Sequence, residues 1–209
     1  MSPRPDVSEE RKSQILDAAI SVFARLGFHQ ARMDDIAQEA GLSKGALYLY
    51  YKSKDTIIAA ILKHLFTQEM KVLHAFVAAE QHSSVRAQLE QLTQQLAEAM
   101  NWMRRLMPIA FEFYAIAGRQ KEVHEFLQEY FKEYRTDIAR LIQRGIDQGE
   151  FRAVDPQTTA ITLTALYEGL ALLFFVDPQA VQWNEQLIAS TRLLLDGLTS
   201  HDTRQSSIH

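Results

Sequence analysis

Residues 43 to 54 read Ser-Lys-Gly-Ala-Leu-Tyr-Leu-Tyr-Tyr-Lys-Ser-Lys, a set of side chains suited to a polyanionic duplex. On a helix, Leu47 and Tyr50 turn inward, which leaves Lys44, Gly45, Ala46, Tyr48 and Leu49 on the outer face. Lys44 can donate to guanine acceptors or to phosphate. Gly45 and Ala46 are small enough for close approach to a groove floor. Tyr48 offers a hydroxyl to phosphate, and Leu49 has only an apolar surface for a thymine methyl. Lys52 and Lys54 lie just beyond as phosphate partners, which position a protein on DNA rather than specify sequence. Taken singly, each of these residues is equally at home in a turn or on a solvated surface.

What gives them meaning is the frame that must hold them. Asp35 to Tyr51 has the spacing of a helix-turn-helix. Ala37 is the small residue needed where two helices cross. Gly41 suits a turn that requires positive φ. Ile36, Ala40, Leu42, Leu47 and Tyr50 pin both helices to a third. That third helix starts near Ser8, with Glu9 and Glu10 at its positive end. It carries Ile15, Ala18, Ala19, Val22, Phe23 and Leu26 on one stripe and stops at Gly27. The two short helices span about Met33 to Ala40 and Lys44 to Tyr50, with Ser43 as cap of the second.

The stretch from Ile15 to Asp55, with its Asp-Ile-Ala, Ala-Gly, Ser-Lys-Gly-Ala-Leu-Tyr and Tyr-Lys-Ser-Lys-Asp, resembles the TetR family of bacterial transcriptional regulators. The resemblance implies a homodimer that represses its target from a double-stranded DNA operator. It also implies release when a small-molecule effector enters the C-terminal domain. Two positions depart from the family pattern. Arg32 stands where serine or threonine often caps the first motif helix; it can reach phosphate but cannot cap in the same way. Leu49 stands where histidine often follows the recognition tyrosine, which favours an apolar contact there. Beyond this third of the chain the likeness rests on length, helical content and the Gly149 to Pro156 junction.

The rest of the chain reads as helix as well, giving an all-α protein of about nine helices. An N-terminal three-helix helix-turn-helix domain, 8–55, is expected to precede a C-terminal helical bundle for ligand binding and dimerisation, 56–200. A long helix runs from Ser53 or Lys54 to about Ala79. Others cover Ser84 to Met103, Pro108 to near Gly118, Glu122 to about Gly145, Pro156 to near Asp177, and Asn184 to Leu198. Asp155-Pro156 is an N-cap followed by proline at the first helical position.

The middle segment is rich in large soft and aromatic residues. Trp102, Met103, Met107, Phe111, Tyr114, Tyr130, Tyr134 and Phe174 suit the lining of an apolar cavity, or equally a plain core. They point to a small, largely apolar or aromatic effector. Glu112 stands among apolar helical neighbours and needs a partner if buried: a ligand, solvent, Arg105 or Arg119. The helix from Pro156 is apolar on nearly all sides and so must be covered on more than one. Leu163, Leu166, Tyr167 and Leu170, with Leu187, Thr191, Leu194 and Leu198 on the last helix, are read as a dimer seam. A two-layer core within one subunit is the alternative.

Composition narrows the remaining classes. The net charge of −4 argues against a protein that coats nucleic acid, although residues 1–64 hold nine Lys/Arg against eight Asp/Glu. The absence of cysteine removes disulfides, thiolate zinc sites and cysteine nucleophiles. The seven histidines form no metal-binding spacing, and no Gly-x-Ser-x-Gly or Gly-rich phosphate loop occurs. No metal, no cofactor and no catalysis are expected. The longest apolar run, Gly169 to Val176, is too short to span a bilayer, and a cytoplasmic protein without a membrane partner is expected. An effector-independent DNA-binding dimer, or an all-helical enzyme, are the alternative functions.

Overall fold

The computed structural model describes residues 7–78, 84–103 and 107–199, with positions 7, 100–103, 107, 108 and 110 described by backbone alone. Nine helices lie among them: α1 Val7–Leu26, α2 Met33–Glu39, α3 Lys44–Tyr50, α4 Lys54–Ala78, α5 Val85–Met103, α6 Met107–Ala117, α7 Lys121–Asp147, α8 Pro156–Val176 and α9 Trp183–Leu198. The chain folds as two compact units. One comprises residues 1–68 and 102–128, the other residues 69–101 and 129–209. α4 and α7 are each continuous through both, and α6 belongs with the helix-turn-helix helices.

In the first unit, Ile15, Ala19, Val22 and Phe23 of α1 are buried with Ile36, Ala37 and Ala40 and with Leu47 of α3. Gly27 ends α1 at φ 73° and Gly41 makes the turn after α2 at φ 63°. At that turn the Leu42 N–H donates to the Ala37 carbonyl at 2.8 Å, and the Gly41 N–H to the Gln38 carbonyl at 3.0 Å. This is a Schellman stop, in which the left-handed glycine lets the chain reverse. Gln14 of α1 donates to the Ala40 carbonyl at 2.7 Å, tying the turn to the third helix. Further along, Phe113 of α6 meets Phe66 of α4 edge-on, with ring centroids 5.7 Å apart.

The second unit is closed by caps. Glu150 accepts from the Ser84 hydroxyl at 2.7 Å and from the backbone N–H groups of Val85 and Arg86 at 3.0 and 3.2 Å. Burial raises the Glu150 pKa, but these hydrogen bonds outweigh it and hold the carboxyl below its ordinary range. Arg86 then reaches Asp196 of α9 at 2.6 Å and the Thr199 hydroxyl at 3.1 Å. Asp155 caps α8 by accepting from the Thr158 N–H at 2.8 Å. α7 runs to Asp147, two residues past Gly145, and that glycine serves packing. A Cβ there would lie 2.3 Å from the Phe151 ring. The stop comes at Gly149, at φ 76°.

Burial re-aims the seam on α8 and α9. Leu163, Tyr167, Leu187, Thr191 and Leu198 are enclosed in the subunit's own core, so they face inward rather than toward a second subunit. Leu166, Leu170 and Leu194 are half-buried. The outward apolar residues are Ile161, Leu172, Leu173, Phe175 and Val176 on α8 and Leu193 on α9. Helical spacing explains the shift: Ile161, Ala165, Leu172 and Val176 form one stripe on the side of α8 opposite Leu163 and Tyr167. By length and composition alone α8 also suffices to cross a bilayer, unlike the short run counted from Gly169. Its alanines and threonines before Gly169 extend the apolar stretch.

Two substitutions test this packing. Gly145→Ala drives a methyl into the Phe151 ring and is expected to cost about 1–3 kcal/mol, lowering the thermal midpoint by several degrees. Glu150→Gln tests the cap by pH. The stability from the ionised carboxylate is full above the ordinary glutamate range and lost as pH falls through the depressed value. Denaturant melts of the variant are therefore expected to show lower stability at neutral pH and a shallower decline toward acid.

Candidate functional site

α3 is a helix of seven residues that depends on its surroundings. Ser43 supplies its N-cap, the hydroxyl accepting from the Ala46 N–H at 3.2 Å. Leu47 is fully buried and fixes the helix by one side. The opposite side is what the sequence predicts: Lys44, Gly45 and Leu49 are exposed, with Leu49 at 79% the most exposed large apolar residue among those described. Ala46 and Tyr48 are half-buried. Ser43, Lys44, Gly45, Ala46, Tyr48 and Leu49 are thus brought together around one short helix, and exposed Lys52 follows it.

The charged residues are engaged in ways the sequence does not announce. Lys44 pairs with Asp34 of α2 at 2.8 Å. The Asp34 hydrogen bond and charge raise its pKa and so keep it cationic. Both partners are well exposed, and such a pair opens readily for a stronger anion. Lys52 donates to the Tyr48 carbonyl at 2.6 Å, extending from the last turn of α3. Arg32 precedes α2 and is exposed, and the missing serine cap is replaced from within the helix. Asp35 reaches back to accept from the Arg32 N–H at 2.8 Å.

Lys54 stands apart. It was expected to meet phosphate, but its ammonium donates to the carbonyls of Phe28 and His29 at 2.5 and 3.3 Å. It also lies 4.5 Å from the Phe28 ring centroid. An ammonium so held closes the loop after α1, where the chain leaves carbonyls without helical partners.

α6 is joined to the same unit by two ion pairs. Glu112 meets neither Arg119 nor a wholly apolar surround; its carboxylate lies 3.1 Å from the His29 imidazole. Arg119 instead pairs with Asp55, at the start of α4, at 2.9 Å. Phe111 is half-buried and Tyr114 exposed on the same helix. Trp102, Met103 and Met107 have side chains outside the described residues.

The other expected ligand residues fall in the second unit. Tyr130 and Tyr134 of α7 are buried side by side, ring centroids 6.1 Å apart. Phe174 packs against Trp183 at 5.9 Å. Sequence reading missed Glu69 of α4, which accepts from the Tyr130 hydroxyl at 2.9 Å. Burial, and then the nearby charge of Glu168, raise the Glu69 pKa, against the lowering effect of that hydrogen bond. Its position within an apolar helix face was the available signal, the same that had drawn attention to Glu112.

Comparison with known proteins places these features. Residues 15–61 match the family model for bacterial regulatory proteins of the tetR family, and residues 85–200 match that of the BetI-type transcriptional repressor, C-terminal. The chain belongs to the TetR family. An uncharacterized HTH-type transcriptional regulator, YfiR, from Bacillus subtilis is 32% identical over 162 residues, covering 76% of this chain and 78% of that one. A crystal structure of a TetR/AcrR family regulator from Thermobifida fusca superposes with a TM-score of 0.73 at 27% identity, over 90% of this chain and 98% of that one. A regulator from Saccharomonospora viridis, crystallised with choline, shares the fold with a TM-score of 0.80 at 20% identity, covering 92% and 100%. As a TetR-family member, the protein is a DNA-binding transcriptional regulator.

In this TetR-family regulator, the assignment of Lys54 to the fold is separable from a role at phosphate. Lys54→Ala is expected to lose about 1–2 kcal/mol of stability in denaturant melts. The slope of log affinity for DNA against log salt should stay unchanged. A phosphate contact would reduce that slope by about 1.

Proposed function

We propose that this protein is a cytoplasmic homodimeric repressor that binds a palindromic operator and leaves it when a small effector binds. The observation that carries the reading is the outer face of α3. It presents small, hydroxyl and apolar groups on a helix whose other side is locked by Leu47. In this reading the face enters the major groove. Lys44 and Leu49 contact base edges, Gly45 and Ala46 allow close approach, and Tyr48, Ser43, Arg32 and Lys52 meet phosphates. The Lys44–Asp34 pair opens on binding.

A single seven-residue helix reads too few bases, so two copies are needed. The outward stripe of Ile161, Leu172 and Val176 on α8, with Leu193 beside Ala189 and Gly197 on α9, supports a two-fold seam. A partner on that stripe also accounts for a helix apolar all round in a protein without a bilayer role. The two α3 helices then address successive major-groove faces, roughly 34–36 Å apart.

Release is a shift between conformations. An effector that prefers the one with mismatched α3 spacing needs about 5.5 kcal/mol of differential affinity to move a population from 1:99 to 99:1. α4 and α7, continuous through both units, are the routes for the shift. The His29–Glu112 and Asp55–Arg119 pairs make α6 move with the helix-turn-helix.

Selection of bound duplexes from a randomised pool tests the reading and is expected to return an inverted repeat. Tyr48→Phe and Lys52→Ala should weaken binding to all duplexes alike, while Lys44→Ala and Leu49→Ala should change sequence preference. Leu172→Glu should give a folded monomer by sedimentation, with operator affinity reduced at least tenfold. Selection of an asymmetric single half-site, or an intact Leu172→Glu dimer, contradicts the reading.

A further inference from the structure

The cation at the start of α3 and the cation just after its end are held by different chemistry. Lys44, the first residue of α3, places its ammonium 2.8 and 3.0 Å from the two carboxylate oxygens of Asp34, in the first turn of α2. Lys52 rests on the Tyr48 carbonyl at 2.6 Å. A carbonyl leaves the charge of Lys52 intact, whereas a carboxylate cancels that of Lys44. Lys44 is the one lysine or arginine in the sequence of α3, and α3 has no acidic residue in its own first turn. The anion that faces it is supplied by a different helix.

The join between α2 and α3 rests on the turn at Gly41 and on the burial of Ile36, Ala37 and Leu47. The Lys44 and Asp34 side chains are 62% and 59% exposed, and ion pairs so placed add little to stability. What the pair alters is the encounter with an outside anion, because both ends are open to it. A phosphate that approaches Lys44 must displace a carboxylate and then stand beside it, like charge against like. The O6 and N7 of guanine are acceptors without net charge and meet no such repulsion. Asp34 therefore penalises the acceptor that every duplex offers and spares the one that depends on sequence. The neighbouring Asp35 is engaged elsewhere, with the Arg32 N–H at 2.8 Å, so this task falls to Asp34.

We infer that Asp34 is a specificity-determining residue acting through Lys44: on random duplex it withholds the ammonium from phosphate, and at the operator it yields the ammonium to a guanine edge. The inference rests on the reading of α3 as the recognition helix with Lys44 at base edges. On random duplex the closed pair carries no net charge and releases no counterion, so sequence-independent binding is weaker by one contact. At the operator the pair opens, and the freed carboxylate has a neutral base edge, not a phosphate, at Lys44.

The test measures the affinity of the full-length protein for a random-sequence duplex and for the selected operator by fluorescence anisotropy across a range of salt. In the otherwise unmodified protein, Lys44→Ala is expected to leave the slope of log affinity against log salt unchanged on random duplex. Asp34→Asn should steepen that slope by about 1 and raise affinity for random duplex about fivefold near physiological salt. Lys44→Ala added to Asp34→Asn should return the slope to its original value. Operator affinity should rise less, so that the preference for operator over random duplex falls. Glu39→Gln removes another exposed carboxylate of α2, one that pairs with Arg25 at 3.0 Å, and should leave the random-duplex slope unchanged. If Lys44→Ala alone flattens the slope, if Asp34→Asn leaves it unchanged, or if Glu39→Gln steepens it as much as Asp34→Asn, the inference is overturned. A sequence preference untouched by Lys44→Ala would instead overturn the placement of Lys44 at base edges, on which the random-duplex slopes do not depend.

Discussion

Everything this regulator does at DNA depends on the burial of Leu47. α3 is seven residues long, too short to persist by its own hydrogen bonds. It survives because Leu47 is fully buried, as are Ile36 of α2 and Ile15, Ala19 and Val22 of α1 in the same unit. The hydrophobic gain from that small shared core fixes not only that the helix exists but how it is rotated. Rotation decides which residues are outside. With Leu47 inward, Lys44, Gly45 and Leu49 are outward, and the face proposed for base contact is a consequence of packing. The turn at Gly41 serves the same end, since its left-handed backbone sets the angle at which α3 leaves α2.

The same logic explains how much of the molecule was legible beforehand. Helices with one apolar stripe declare their inner face, and the order, number and approximate limits of the nine follow from stripes, caps and glycines. α8 carries no such contrast. With apolar residues on all sides, its sequence says that two faces are covered but not which face meets which neighbour. Leu163 and Ile161 are indistinguishable as letters, and they end on opposite sides, the first buried and the second 54% exposed. Gly145 is ambiguous for a related reason, whereas Gly149 was legible as the stop. A glycine signals either a stop or a close approach, and only the return of Phe151 onto the helix selects the second.

Charged residues were less legible than apolar ones because their partners are distant in sequence. Lys54 is readable from the sequence as a phosphate ligand, but nothing in the sequence announces the carbonyls of Phe28 and His29, some 25 positions earlier, that lie at its ammonium. Asp55 and Arg119 are 64 residues apart, and His29 and Glu112 farther still. No periodicity encodes such pairs. They tie α6 to the unit that holds the helix-turn-helix, although α6 follows α5 in the chain.

In the proposed reading, the placement of α6 bears on how an effector signal reaches the DNA-binding helices. Two ion pairs join α6 to residues that flank the helix-turn-helix within the first unit, His29 before α2 and Asp55 at the start of α4. Packed elements deform between discrete arrangements rather than continuously, so α6 and the helix-turn-helix respond together in that reading. The Asp55–Arg119 pair, at 2.9 Å, and the His29–Glu112 pair, at 3.1 Å, hold α6 at two points. Glu112, expected from the sequence to need a partner, has one in His29, and that contact ties α6 to the loop that precedes α2.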